Sequence, residues 1–322
     1  MITPQIKLTL GSRGSNLALW QTNWVKAELE QRFPNLAIHI EIIKTIGDKI
    51  LDSPLSKIGD KGLFTREIEH ALLDKRIDVA VHSLKDVPTQ LPAGLTIGAI
   101  TKREDVRDVF ISHPKKLYKQ FDGLPRGANI ATGSLRRKCQ IMNWRPDINI
   151  IDVRGNLNTR FEKLDASDWD GMILARAGVL RLGFSERVSE IFPTNKILPA
   201  VGQGALAIEI RDDDAATLRY VRELASEATT IATKAERAFL RFLEGGCQVP
   251  IGTFGRVENN IFMLDGMIGS LDGKKILRGT THSSPEHAET VAIELAKMLF
   301  ESGGKEILES IRRTSTITSP LI

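Results

Sequence analysis

A single cysteine on a glycine-hinged loop is the residue of this chain best placed for covalent chemistry. Cys247 lies in the stretch 243–252, Leu-Glu-Gly-Gly-Cys-Gln-Val-Pro-Ile-Gly, directly after a strongly helical segment. A thiol on such a loop can reach beyond its own domain, and the sequence offers it neither a disulfide nor a metal partner. The alternative is a buried thiol packed as a small apolar residue, which is the commoner fate of a cysteine.

Arginines recur just after predicted strands, next to small residues that precede a helix. They are Arg13, Arg136, Arg137, Arg154, Arg160 and Arg181. A helix start leaves backbone N–H groups free for an anion, and a guanidinium matches a carboxylate or phosphate. One such arginine is usually just solvated, but several at equivalent strand ends would repel one another unless an anion compensates them. They predict a cleft that binds a ligand with many negative groups. Lys61 and Lys85 are candidates for further contacts with that ligand.

Asp86 is the candidate acid of that cleft. It follows a predicted buried strand within 82–88, His-Ser-Leu-Lys-Asp-Val-Pro. An ordinary turn aspartate that caps its own backbone is one interpretation. The other is a carboxylate that stabilises positive charge developing on a substrate, an effect worth several kcal/mol in a desolvated site. The polar segment 47–62 fits a lid or a slack surface loop equally well.

Bulk composition excludes several classes of protein. The chain has 322 residues, 42% hydrophobic and 26% charged. Its formal charge of +4 is too small to imply a polyanionic partner by itself, so any basic character must come from local clustering. No apolar run reaches the length of a bilayer span, and the N-terminus lacks the pattern of a secretion signal. Two cysteines, Cys139 and Cys247, and six scattered histidines give no metal-ligand spacing. We expect a reduced cytoplasmic protein without a protein-ligated metal, with Cys139 packed in a helix.

Strand and helix patterns alternate along most of the chain and predict an α/β fold. The predicted elements are strand 6–12, helix 15–33, strand 36–43, a helix carrying Phe64, Ile68 and Leu72, strand 78–81, strand 129–132, helix 134–144, strand 148–152, helix 156–165, and strand 171–175 followed by a helix. This order predicts mostly parallel sheets covered on both faces. Because the pattern restarts after about residue 107, we expect two lobes facing each other across a cleft.

The last hundred residues differ in character. A long helix over 228–243 precedes three β-type runs, at 252–257, 261–269 and 275–281, with turn signals between them. A helix over 287–302 follows. This order predicts a smaller α+β domain with a three-stranded antiparallel sheet.

Taken together, these segments resemble the porphobilinogen deaminase (hydroxymethylbilane synthase) family over essentially the whole chain. The segments that carry the resemblance are 11–15, 61–69, 82–88, 103–108, 134–137, 153–156, 201–205 and 244–250. The resemblance implies two periplasmic-binding-protein-like lobes and a third domain, with boundaries 1–104 plus 200–219, 105–199 and 220–322. It also implies a monomeric transferase that joins four porphobilinogen molecules into linear hydroxymethylbilane and releases ammonia.

The resemblance assigns roles to individual residues. Asp86 falls on the catalytic acid, and Cys247 on the residue that carries a dipyrromethane cofactor through a thioether. The cofactor-binding positions are Cys247, Lys85, Asp86, Ser134, Arg136, Arg137, Arg160 and Gln203. The substrate-binding positions are Arg13, Ser15, Arg154, Arg160, Arg181 and Lys61. Acetate and propionate groups on each pyrrole explain why such a site needs many cations.

Two other functions remain open at this point. Lobes with strand-end arginines would also suit a non-catalytic protein that binds carboxylates or phosphate, although such a protein has no use for the Cys247 loop. Nucleic-acid binding through 134–137 is disfavoured, because the net charge is modest and no aromatic–basic platform accompanies the arginines.

Overall fold

A computed structural model describes residues 6–49, 62–243 and 249–317 of the chain. These residues form two compact units. The first comprises residues 6–49, 62–104 and 202–230, and the second comprises 105–201, 231–243 and 249–317.

The elements are numbered in chain order. The strands are β1 (Ile6–Ser12), β2 (Leu36–Ile42), β3 (Val79–Ser83), β4 (Leu95–Ile100), β5 (Asp108–Ser112), β6 (Asn129–Ala131), β7 (Asn149–Ile151), β8 (Gly171–Ala175), β9 (Glu190–Ile191), β10 (Leu206–Arg211), β11 (Ile251–Glu258), β12 (Ile261–Gly269) and β13 (Ile276–Ser283). The α-helices are α1 (Asn16–Arg32), α2 (Ile46–Lys49), α3 (Arg66–Leu73), α4 (Leu135–Trp144), α5 (Leu157–Ala166), α6 (Arg176–Arg181), α7 (Ala215–Val221), α8 (Glu227–Phe242), α9 (Ala288–Leu299) and α10 (Lys305–Ile317).

The first unit is built on a mixed sheet. Its described strands number five and lie in the order β2-β1-β3-β10-β4. β1 pairs in parallel with β2 and β3, whereas β10 runs antiparallel to β3 and β4. Val25 and Leu29 of α1 pack against Leu10, Val79 and Ile208 of the sheet, which buries one of its faces. β10 lies between β3 and β4 in this sheet, although it begins more than 100 residues after β3 in the chain.

The second unit contains a sheet of the same kind. Among the described residues it also has five strands, in the order β7-β6-β8-β5-β9, with β6 parallel to β7 and β8 and with β5 antiparallel to β8. Side chains of β5 alternate between two cores: Phe110 joins one cluster, while Val109 and Ile111 join the other. This alternation confirms that both faces of the sheet are covered.

The second unit also contains a three-stranded antiparallel sheet of β11, β12 and β13. Phe239 of α8 and Leu295 of α9 pack with Leu264 and Ile268 of the sheet. Cys139 of α4, Leu198 and Met267 of β12 form a further buried cluster within the unit. The N–H of Thr253 donates to the carbonyl of Pro199 at 3.0 Å.

The predicted fold class is confirmed, with one correction. Two α/β sheets and a smaller antiparallel sheet are present, and the predicted bounds of β1 and β12 match those observed. The expectation of mostly parallel sheets is wrong, because β10 and β5 each run antiparallel to their neighbours. Among the described helices, none combines the length and apolar character that crossing a membrane requires.

Candidate active site

The backbone around Asp86 is fixed by a buried neighbour, while the carboxylate itself is exposed. β3 ends at Ser83 and continues into a 3₁₀ turn, Leu84–Asp86. The N–H of Leu84 donates to the carbonyl of Ala205 at 3.0 Å, and the Leu84 side chain is only 1% exposed. Asp86 and Lys85 are exposed. Within the described part of the chain, Asp86 makes no hydrogen bond or ion pair.

Asp86 shares a small cavity with two of the predicted substrate-binding residues. The cavity has a volume of about 60 Å³, and Arg13, Ser15, Phe64, His82 and Asp86 are among the residues that line it. The Arg13 guanidinium lies 4.2 Å from the centre of the Phe64 ring, a cation–π contact that orients it. An acid and a guanidinium therefore face one small space in the first unit.

Arg13 and Ser15 reach this cavity because α1 begins directly after β1. The Ser15 side chain accepts a hydrogen bond from the N–H of Ala18 at 3.3 Å and caps the helix. The positive end of α1 is thus placed beside the cavity, where it favours an anion.

The segment 202–205 packs closely within the first unit. Arg103 donates its Nε–H to the carbonyl of Gln203 at 2.7 Å, and Gln203 is 1% exposed. Gly204 has a φ of +95°, and a Cβ there would lie 2.5 Å from the carbonyl oxygen of Glu104. Turn geometry and close packing therefore account for Gly204.

Arg136 and Arg137 of the second unit share a buried counter-ion, Asp108. The Asp108 carboxylate lies 2.8 Å from a terminal guanidinium nitrogen of each arginine. Both guanidiniums also donate to buried carbonyls, those of Leu198 and Ile173. The expectation that only a ligand anion would compensate these arginines is therefore wrong for Arg136 and Arg137.

The charges of this ion triad are strongly perturbed. Burial alone would raise the pKa of Asp108, but the two guanidiniums outweigh it, and the pKa lies well below its ordinary value. Burial lowers the pKa of Arg136. The negative charge of Asp108 opposes this shift, and the positive charge of Arg137 adds to it. Arg136 and Arg137 each keep a buried Nε–H without a hydrogen-bond partner among the described residues. Each arginine thus keeps one unsatisfied N–H donor within the described ranges.

Ser134 precedes these arginines as the N-cap of α4. Its hydroxyl accepts from the N–H of Arg137 at 3.4 Å, and its own N–H donates to the hydroxyl of Thr132 at 3.3 Å. The start of α4 thus presents a capped turn directly after β6, as the sequence predicts.

Arg154 and Arg160 flank a second helix start. Asn156 caps α5 by accepting from the N–H of Thr159 at 3.0 Å, and Arg160 donates its Nε–H to the carbonyl of Gly155 at 2.9 Å. Burial lowers the pKa of Arg154, and the negative charge of Asp152 opposes this shift only in part. One Arg154 Nη is buried and has no partner among the described residues. This nitrogen is a ready donor for a ligand carboxylate.

Sequence reasoning missed a second arginine–aspartate cluster in the same unit. Asp105 pairs with Arg107 at 2.6 Å and with Arg176, the first residue of α6. Burial would raise the pKa of Asp105, but its hydrogen bonds to Arg107 and the charge of Arg176 lower it to about 2. The acidic and basic residues of 103–108 are the signal that could have indicated internal ion pairs. Arg181, the predicted substrate-binding residue, ends α6.

Two predicted site residues, Cys247 and Lys61, lie outside the described residues, as do residues 50–61 of the predicted lid. Cys139 is fully buried, as predicted. Burial, reinforced by the negative charge of Asp272, raises the pKa of its thiol to about 12. Across the described ranges, no group of three His, Cys, Asp or Glu side chains is arranged to hold a metal ion.

Comparison with known proteins gives matches along most of the chain. A family described as porphobilinogen deaminase, dipyrromethane cofactor binding domain, matches residues 8–219, and its C-terminal domain matches residues 230–301. The porphobilinogen deaminase of Chlorobaculum tepidum is 54% identical over 311 residues, covering 96% of this chain and 99% of that protein. The porphobilinogen deaminase of Chlorobaculum parvum is 53% identical with the same coverage. The solved BenM effector binding domain is 14% identical with a TM-score of 0.41, covering 68% of this chain and 89% of that one.

The two mixed sheets and the smaller antiparallel sheet define an α/β protein. The chain belongs to the porphobilinogen deaminase family. It is therefore an enzyme, a transferase of tetrapyrrole synthesis, and residues 8–219 match the domain that binds the dipyrromethane cofactor. The predicted family and cofactor are confirmed.

Proposed function

We propose that this chain condenses four porphobilinogen molecules head to tail into linear hydroxymethylbilane, with release of ammonia. The dipyrromethane cofactor, attached through a thioether at Cys247, would supply the primer to which each new pyrrole is added. The observation that carries the proposal is the position of Asp86, a carboxylate without a partner among the described residues, in a cavity that it shares with Arg13. In this reading the protein acts as a cytoplasmic monomer with domains 1–104 plus 200–219, 105–199 and 220–322.

The donors left in the second unit fit a ligand rich in carboxylates. Arg136 Nε, Arg137 Nε and one Arg154 Nη are buried and have no partner within the described ranges. Each can donate a charge-assisted hydrogen bond to an acetate or propionate, and such bonds are about twice as strong as neutral ones. Lys85, Asp86, Ser134, Arg136, Arg137, Arg160 and Gln203 are proposed to hold the cofactor. Arg13, Ser15, Lys61, Arg154, Arg160 and Arg181 are proposed to hold the substrate.

Asp86 has the chemical role in this proposal. Loss of ammonia leaves positive charge on the substrate pyrrole, and a fixed carboxylate beside the ring N–H stabilises that charge. The carboxylate needs no reorganisation, because Leu84 and Ala205 hold the turn in place before substrate binds. Preorganised groups of this kind contribute on the order of 10²–10³ in kcat.

The family assignment does not favour the non-catalytic alternative. The nucleic-acid alternative depended on Arg136 and Arg137, which are each 5% exposed and paired with Asp108. Two guanidiniums that share one buried carboxylate do not form the exposed basic surface by which a protein follows a phosphate backbone.

The experiment compares porphobilinogen consumption and ammonia release for the wild type, Asp86→Asn and a matched control, Asp213→Asn. Asp213 is an exposed aspartate of the same unit. We expect Asp86→Asn to retain its circular dichroism spectrum and lose at least about 10²-fold in kcat, with the control unchanged. Near-normal turnover by Asp86→Asn would contradict the role of Asp86, and a wild type that consumes no porphobilinogen would contradict the function.

A further inference from the structure

A buried acid–base cluster lies directly behind the cavity of Asp86. His82 Nε2 lies 2.9 Å from Glu209 Oε2, and the two side chains are 4% and 0% exposed. His82 belongs to β3 and lines the cavity, whereas Glu209 belongs to the neighbouring antiparallel strand β10. Glu69, on α3, is 5% exposed and completes the cluster. The reaction proposed above uses none of these three side chains.

The cluster holds two carboxyl groups and one imidazole. Burial raises the pKa of Glu69, and the hydrogen bond with Thr65 opposes this shift only in part. Among the smaller effects, the negative charge of Glu209 raises the pKa, whereas His82 and His70 lower it. One carboxyl oxygen of Glu69 and one of Glu209 have no hydrogen-bond partner among the described residues. Two buried anions beside one imidazole would leave at least one negative charge uncompensated, which burial strongly disfavours.

The nearest guanidinium on β10 is already engaged elsewhere. Arg211, two residues beyond Glu209, donates to the carbonyls of Leu72 and Ile77. It also pairs with Asp78 at 3.0 Å and with Asp214 at 2.6 Å. Because two carboxylates already pair with this guanidinium, it does not compensate Glu69 or Glu209. A proton bound to one of these two carboxyl groups removes the uncompensated negative charge.

We propose that Glu69 is held as a neutral carboxylic acid, that Glu209 is the carboxylate that orients His82, and that His82 is a positioning residue for the Asp86 turn. The catalytic part of this inference rests on the proposed function, and the protonation of Glu69 does not. Glu209 accepts a hydrogen bond from the His82 Nε2–H, which fixes the imidazole in the wall of the cavity. Ser83, the next residue, is held by Gln21, whose Nε2 donates to the Ser83 hydroxyl at 2.9 Å.

Ionisation of Glu69 would disturb this arrangement. A second buried negative charge would repel Glu209, and the carboxylate that orients His82 would move. Because the folded state binds the Glu69 proton more tightly than the unfolded state, stability is present at acid pH and is lost as pH rises through the raised pKa of Glu69. Between the ordinary pKa of 4.5 and the raised pKa of Glu69, the folding equilibrium constant falls by up to about tenfold per pH unit.

The first test measures unfolding by denaturant between pH 5 and pH 9 for the wild type, Glu69→Gln, Glu209→Gln and Glu30→Gln. Glu30, a surface carboxylate of α1 that is 41% exposed, is the matched control. Because glutamine mimics the neutral acid, Glu69→Gln should lose the decrease in stability that accompanies rising pH. Glu209→Gln should move that decrease to lower pH, because the negative charge that helps to raise the pKa of Glu69 is removed. Equal pH slopes for the wild type and Glu69→Gln would overturn the proposal.

 The coupling between the two acids fixes the direction expected for Glu209→Gln. The negative charge of Glu209 contributes to the raised pKa of Glu69, so its removal makes Glu69 easier to ionise. For the coupled pair that we propose, the decrease in stability with rising pH therefore moves to lower pH in Glu209→Gln. A decrease that moves to higher pH, or does not move, would contradict the coupling.

The second test measures kcat and KM for porphobilinogen over the same pH range. We expect His82→Gln to lose about tenfold or more in kcat at an unchanged KM, because small misplacements of a catalytic group are costly. Glu69→Gln should keep the rate that the wild type has while Glu69 is protonated, and it should lose the decline in kcat that accompanies ionisation of Glu69. A decline in kcat with rising pH that persists unchanged in Glu69→Gln would show that the cluster does not position Asp86. Since the unfolding measurement needs no activity, it separates a failure of this inference from a failure of the proposed function.

Discussion

Removal of the Asp108 charge should destabilise the second unit more than any exposed ion pair can. In Asp108→Asn, two buried guanidiniums lose the one carboxylate that lies 2.8 Å from each of them. Breaking a buried ion pair from one side costs about 3–5 kcal/mol, and one carboxylate here serves two cations. For a folding unit of this size, each kcal/mol corresponds to roughly 2–4 °C in Tm, so we expect a loss of about 6–20 °C.

The pH dependence gives this prediction a second signature. Because the folded-state pKa of Asp108 is depressed, its stabilisation is present above the ordinary carboxyl pKa of 3.8 and is lost as pH falls below it. The difference in unfolding free energy between the wild type and Asp108→Asn should therefore stay constant from pH 7 to about pH 5 and shrink below about pH 4.

The assay is denaturant unfolding followed by circular dichroism at several pH values, with Asp165→Asn as the control. Asp165 pairs with Arg187 at the surface, where the two side chains are 43% and 29% exposed. Such a pair contributes only about 0–1 kcal/mol. If Asp108→Asn cost no more than this control, the account of Asp108 as the common counter-ion of Arg136 and Arg137 would be refuted.

Three further predictions concern single residues. Gly204→Ala should cost about 1–2 kcal/mol in unfolding free energy, because an alanine at φ +95° is strained and its Cβ meets the carbonyl of Glu104; an unchanged midpoint in urea would contradict this. Cys139, with a pKa of about 12, should resist iodoacetamide at pH 8 in the folded protein and react after denaturation, as peptide mass mapping would show; equal labelling in both states would count against its burial. Arg154→Gln should raise the KM for porphobilinogen about tenfold or more, since a charge-assisted hydrogen bond is lost; an unchanged KM in steady-state kinetics would remove Arg154 from the substrate site.

The sequence predicts those parts of the fold that depend on local pattern. Alternation of apolar residues places β1 and β12, and helical spacing of apolar residues places α1. The strand β10 escapes such reasoning, because Glu209 and Arg211 are charged residues inside a wholly buried strand. Their partners, His82 and Asp78, lie more than 100 residues away in the chain.

The site divides in the same way. Asp86 and the cations near strand ends can be found from residue type and position, since the ends of neighbouring strands meet at one edge of a sheet. The role of Asp108 cannot, because it depends on β5 lying against β8, which brings the acid to α4. For the same reason, an arginine that looks free in the sequence can be internally paired in the fold.

The mass of the intact purified protein tests the central claim most directly. If the chain is a transferase primed on its own covalent cofactor, the wild type should exceed its sequence mass by two linked pyrrole units, and Cys247→Ser should have the sequence mass alone. A wild type that shows only its sequence mass, and that gains none after incubation with porphobilinogen, would contradict the account.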